Sequence, residues 1–228
     1  MDMIVTPSWL TGANADRMVQ IVDATYFLAG TGRDARAEHA AGHIPGAVFF
    51  DLDAMSDPSS GLPNTLPLPE AFAERAAELG LDADRPIVVY DNSPLHSAAR
   101  AWWMLKLFGA VDVAVLDGGL GAWTEAGGRL ETGTTVPARR GRFPATMNRA
   151  MVADLDMVRR NLETRAAQVA DARSPQRFAG TDPEPRPGVR AGHIPGARNL
   201  ANGDLFAPDG HYKSREELRA AFAAAGVD

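Results

Sequence analysis

The residues best placed to do chemistry lie between positions 91 and 97. Asp91-Asn92-Ser93-Pro94-Leu95-His96-Ser97 follows the most strand-like run in the chain, residues 86–90 (PIVVY), and leads into an apolar stretch over residues 98–108 that reads as a helix. In a parallel α/β sheet, ligands bind at the carboxyl ends of strands, where loops run into helix N-termini. Successive backbone N–H groups of such a loop can converge on one anionic atom. The residue that opens the loop would carry the nucleophile of an enzyme site. Here it is Asp91, a carboxylate that can accept hydrogen bonds from a cradle of amides but offers no thiolate. The competing reading keeps the loop for folding and for a domain interface.

The chain of 228 residues contains no cysteine, so disulfides, thiolate metal sites and a thiol nucleophile are absent from it. It has no carboxylate pair, metal-spaced histidine cluster, GxSxG or P-loop, and no metal or organic cofactor is expected. A net charge of −6 supplies no basic field for nucleic acid or anionic lipid. No apolar run approaches the roughly 20 residues of a membrane helix, and residues 1–10 lack the pattern of a secretory signal. The expectation is a cytoplasmic protein with no nucleic-acid or membrane partner.

The elements that must position this loop come from a duplication. Residues 41–47 read AGHIPGA, and residues 191–197 repeat them letter for letter. The match extends upstream, where Asp23 ends an apolar run as Asp171 does, and downstream, where residues 72–82 correspond to residues 218–228. Self-similarity over this length predicts two copies of one domain, not a solenoid of short repeats. The first copy is assigned to residues 1–128, a linker without periodicity to residues 129–149, and the second copy to residues 150–228.

Within the first copy, residues 19–24, 47–50, 86–90 and 113–116 read as strands. They alternate with helices at 69–79, 98–108 and up to Glu125, which predicts a parallel α/β sheet with helices on both faces. Residues 51–69 are proline-rich and read as a surface loop. In the second copy, Leu155, Val158 and Leu162 mark an amphipathic helix, residues 168–172 a strand, residues 173–192 a long polar loop rich in arginine and proline, and residues 215–225 a final helix. Aligning Gly80-Leu81-Asp82 with Gly226-Val227-Asp228 sets an offset of 146 residues, so the counterpart of Asp91 would be position 237. The second domain is thus expected to be C-terminally truncated, without its central strand and loop, and unable to close a core alone. Both HIPG turns are expected to superpose, with Ile44 and Ile194 buried.

The duplicated architecture, the GHIPGA turn, the VVYD loop, WWMLKLFG, and LDGG before a helix with Trp123 resemble the two-domain rhodanese superfamily over nearly the whole chain. Residues 171–178 (DARSPQRF) and 184–188 (EPRPG) are similar to its 3-mercaptopyruvate sulfurtransferase branch. The resemblance implies tandem rhodanese-like domains, the second incomplete here. It also implies a first domain that is non-catalytic, with Asp91 at the loop start, and a nucleophilic cysteine near position 237. It implies that Arg177 and Arg186 bind the donor's carboxylate and keto oxygen, since a planar guanidinium can hold a carboxylate through two hydrogen bonds. The competing reading makes them solvated surface charges.

The reaction implied moves sulfane sulfur from 3-mercaptopyruvate or thiosulfate to cyanide, a small thiol or thioredoxin through a cysteine persulfide. The chain alone, without a cysteine, is expected to be inactive. The alternative is an inactive rhodanese-like module that binds anions or a protein partner; a rhodanese-fold phosphatase would need the same loop cysteine. His193 reads as part of its turn, because both copies carry the histidine and the family has one active site. The resemblance leaves His43 an accessory role at the site cleft, and His96 is assigned none.

Overall fold

The computed structural model describes residues 1–15, 19–185 and 188–228. These form two compact units, Met1–Met151 and Val152–Asp228.

In the first unit the elements run β1 (Ile4–Val5), α1 (Pro7–Ala15), β2 (Gln20–Asp23), α2 (Ala35–Ala41), β3 (Val48–Phe49), α3 (Pro69–Glu78), β4 (Ile87–Tyr90), α4 (Ala98–Leu107), β5 (Val113–Leu116) and α5 (Gly119–Glu125). The five strands pair in parallel in the order β1-β5-β4-β2-β3. Central position explains the composition of β4: with a partner on each edge and helices on both faces, all four of its residues are buried. Only β-branched and aromatic side chains fill such a strand well.

Alternate residues divide the sheet into two faces. Ile21, Val88, Tyr90, Ala114 and Leu116 share one cluster with Leu10 and Ala13 of α1 and Trp123 of α5. Elsewhere in the unit Phe72 of α3 stacks on Phe108, just past α4, at 4.1 Å between centroids, and Phe143 meets Phe72 edge-on at 5.5 Å.

Phe143 marks a difference from the sequence reading. Residues 129–149 are not a free linker but run along the first unit. Glu131 and His43 exchange both backbone hydrogen bonds, at 2.8 and 2.9 Å. The Asp82 carboxylate accepts both terminal nitrogens of Arg139 and the Arg142 amide. Proline and arginine hid this segment because such a strap needs no helical or strand period. Further short elements escaped the reading, among them β1, α1, and a five-residue helix and a two-residue strand of the second unit. Two to five residues are too few to show a period, and the nine of α1 (PSWLTGANA) mix apolar positions with Gly, Ser, Thr and Asn.

The second unit runs α6 (Leu155–Thr164), β6 (Ala170–Asp171), α7 (Pro175–Ala179), β7 (Arg198–Asn199) and α8 (Arg215–Ala225), with β6 and β7 in parallel. α7 interrupts the expected long polar loop, and its local signals are complete: Ser174 caps it, Pro175 opens it, and left-handed Gly180 closes it. The Ser214 and Glu217 side chains form a reciprocal capping box on α8.

Both HIPG segments make the same turn. Ala47 N–H bonds Ile44 C=O and Ala197 N–H bonds Ile194 C=O, each at 2.9 Å. Gly46 (φ 78°) and Gly196 (φ 83°) take the positive φ that a type II turn requires after proline. The surroundings differ: Ile44 is fully buried, whereas Ile194 is 40% exposed, against expectation. Leu155, Leu162 and Phe222 are exposed as well. Among the described residues of the second unit, Leu200 is the one buried hydrophobic side chain. Two short strands present no sheet face broad enough to cover these side chains.

Candidate functional site

The Asp91 loop sits where the sequence places it, at the carboxyl end of central strand β4, and its amides do converge. They converge on the loop's own first residue. Asp91 Oδ2 accepts the Ala98 N–H at the start of α4 at 2.6 Å, and Oδ1 accepts the Ser93 N–H at 3.0 Å. Asp91 is therefore the anion in its own cradle. Burial pushes its carboxyl up to about 6; the two amide bonds pull the other way and nearby Asp23 adds to the rise. His96 stands in the same loop with its amide on Ser93 C=O, its backbone left-handed at φ 50°. Burial lowers the pKa of the His96 ring.

Beneath the loop lies a buried polar cluster that the sequence reading missed. Asp23 Oδ1 accepts the Thr25 N–H and Oγ1–H, while Oδ2 meets His39 Nδ1 at 2.8 Å and accepts Tyr90 Oη–H at 3.2 Å. Thr25 Oγ1 in turn accepts the Asn92 N–H at 2.9 Å, so the buried carboxylate holds the loop indirectly. Burial beside Asp23 raises the Tyr90 pKa and keeps the phenol protonated. His39 faces only a carboxylate at Nδ1, which makes that nitrogen the donor, and its buried Nε2 has no partner. Its ring stacks on His43 at 4.0 Å. His43 is fully buried, with Nδ1 on His39 C=O at 2.8 Å and Nε2 on Thr135 Oγ1 at 3.0 Å. The Asp23–His39, Asp23–Tyr90, Thr25–Asn92 and His43–Thr135 links span 16 to 92 residues, beyond the reach of local spacing.

The second unit gathers charge around Glu184. Its Oε2 accepts Arg177 Nη2 at 2.6 Å and its Oε1 accepts Arg173 Nη1 at 2.8 Å. Arg173 also grips Asp171, the end of β6, through Nε and Nη2, and donates from Nη2 to Gly192 C=O at 2.7 Å. The Arg177 and Arg173 guanidinium groups hold the Glu184 carboxyl below its ordinary range. Arg177 Nε is buried without a partner. The neighbouring Phe178 ring stacks on His193 at 3.7 Å, and His193 Nδ1 donates to Phe178 C=O at 2.7 Å. The repeated histidine thus pins α7 to its turn. Arg186 lies outside the described residues.

A family model for the rhodanese-like domain matches residues 6–126. Over 231 residues the chain is 42% identical to the 3-mercaptopyruvate sulfurtransferase of Homo sapiens, covering 99% of this chain and 77% of that protein. The chain belongs to the rhodanese-like sulfurtransferase family. The 3-mercaptopyruvate sulfurtransferase of Escherichia coli (strain K12) is 43% identical over 224 residues, covering 98% of this chain and 79% of that protein. The crystal structure of SseA from Escherichia coli, described as a 3-mercaptopyruvate sulfotransferase with the rhodanese fold, matches with a TM-score of 0.91 at 40% identity. That match covers 100% of this chain and 85% of SseA.

Within this rhodanese-like chain, Asp23, His39, Tyr90, Arg173 and Glu184 are the interacting residues that sequence reasoning passed over. A signal existed for two of them: Arg173 follows the repeated Asp171 by two positions, and Glu184 opens the EPRPG run. Among the described residues, no group of three or more His, Asp or Glu could hold a metal ion, and no helix is long and apolar enough to cross a membrane.

Proposed function

We propose that these residues form the donor-binding part of a sulfurtransferase acting on 3-mercaptopyruvate, with thiosulfate as the second donor. The observation that carries the reading is the held guanidinium of Arg177: Glu184 fixes one terminal nitrogen, and a buried Nε is left as an unmatched donor. A donor carboxylate answers a fork of this kind with charge-assisted hydrogen bonds. Arg186 joins it as the second donor-binding arginine.

The sulfur is taken by a cysteine near position 237, outside these 228 residues. Its thiolate attacks the sulfur of 3-mercaptopyruvate; the S–S bond forms as the C–S bond breaks. The electron pair leaves as the enolate, which takes a proton to become pyruvate. Thioredoxin, a small thiol or cyanide then removes the outer sulfur. The first domain is non-catalytic in this reading, because Asp91 fills its own amide cradle. His43, engaged at both ring nitrogens, serves the site by holding its turn. The protein is placed in the cytoplasm.

The test compares two polypeptides given 3-mercaptopyruvate. The 228-residue chain should release no pyruvate. A longer chain with a cysteine near position 237 should release it and gain the mass of one sulfur. A longer chain that stays inert would leave the alternative, an inactive module that binds anions or a protein partner.

A further inference from the structure

Glu184 is acidic, yet it sits among the residues assigned to an anionic donor. A carboxylate there has two readings. It either competes with the donor for Arg177 or fixes Arg177 where the donor can use it. The geometry decides between them through Arg173. A competing carboxylate must be able to leave, and Glu184 is not free to leave. Its side chain is only 6% exposed, and its second oxygen is tied to Arg173. Arg173 is itself fixed at Asp171 and at Gly192 C=O, the residue before the repeated histidine. The chain of charges Asp171, Arg173, Glu184 and Arg177 therefore runs from the end of β6 to the α7 guanidinium. It alternates in sign and sums to zero, so a donor anion meets an ordered site with no excess negative charge. At the other end of the side chain, the Phe178–His193 stack fixes the α7 backbone.

We propose that Glu184 is a positioning residue for the sulfur donor, holding the Arg177 guanidinium through one oxygen while Arg173 anchors the other. The proposal rests on the donor reading of Arg177. It follows from the cost of leaving a long, flexible side chain to find one geometry by itself: an ordered fork loses less freedom on binding than a mobile one.

The 228-residue chain suits the test, because without a thiol it can be titrated with 3-mercaptopyruvate and not consume it. Calorimetric titration of the parent chain, Arg177→Gly, Glu184→Gln and Glu184→Asp provides the readout. Glu184→Gln keeps the shape but loses the charge, so affinity should fall roughly 10- to 100-fold, the effect of one charge-assisted hydrogen bond. Glu184→Asp keeps the charge and should recover part of the loss, which a purely structural role would not produce. Circular dichroism shows whether each variant keeps its helices. If Glu184→Gln unfolds the second unit, the comparison of Glu184→Asp with the parent decides instead, with a weakening of several-fold expected. Tighter binding by Glu184→Gln would make Glu184 a competitor and overturn the proposal. So would unchanged affinity in both Glu184 variants while Arg177→Gly binds less. If the parent does not bind, or Arg177→Gly binds as well as the parent, the donor reading itself fails and the proposal falls with it.

Discussion

Asp91 Oδ2 accepts the first backbone amide of α4, that of Ala98, at 2.6 Å. The carboxylate that opens the loop thus caps the helix that closes it, in a setting buried enough to push its carboxyl up to about 6.

That pKa fixes the sign of a pH effect. Asp91 binds its proton more readily folded than unfolded, where 3.8 is ordinary. The folded state therefore gains relative stability as pH falls from 7 through 6, and loses it as pH rises. A rise of about two units corresponds to roughly 3 kcal/mol at most. Urea unfolding of the first unit at pH 5 and pH 7, in the parent chain and in Asp91→Asn, should show this contribution only in the parent. An equal pH dependence in both would remove Asp91 as its source.

Phe143 tests the status of residues 129–149. The side chain is 4% exposed and touches Phe72, so Phe143→Ala should cost the first unit about 3–5 kcal/mol. A true linker residue would tolerate the change within about 0.5 kcal/mol. Denaturant midpoints at constant slope measure the difference.

Ile44 and Ile194 occupy one position in two copies of one turn. Ile44→Ala, at a fully buried site, should cost about 2–5 kcal/mol. Ile194→Ala, at a site 40% exposed, should cost the second unit less than about 1 kcal/mol. Amide exchange read separately for the two units checks both. Equal losses would mean that the Ile194 site closes in solution.

Arg177→Gly in a longer, cysteine-bearing polypeptide should lower kcat/KM for 3-mercaptopyruvate by about 1.5–3 kcal/mol, roughly 10- to 150-fold. The loss should fall mainly on KM. Unchanged kinetics would reduce Arg177 to a surface charge.

Much of the first unit was legible because α3 is long enough to show a helical period and β4 is an unbroken β-branched and aromatic run. Residues 69–79 and 86–90 correspond to α3 and central β4 within a residue at each end. The expected loop cradle exists, but that Asp91 would fill it depends on side-chain geometry rather than residue order. The Asp23–His39–Tyr90 cluster was illegible for a related reason: its bonds join residues 16 and 67 positions apart. α7 was the avoidable omission, since Ser174, Pro175 and Gly180 mark its ends in plain order.

The strap over the first unit has a consequence for mutational tolerance. Where it crosses the chain after α3, a Cβ on Gly141 would collide with the backbone oxygen and nitrogen of Leu81. No side-chain rotation relieves a clash with backbone. A saturation scan should therefore find a sharp intolerant column at 141 inside a stretch whose composition suggests freedom to drift. There, selection acts on clearance between two chain segments, with no catalytic group involved.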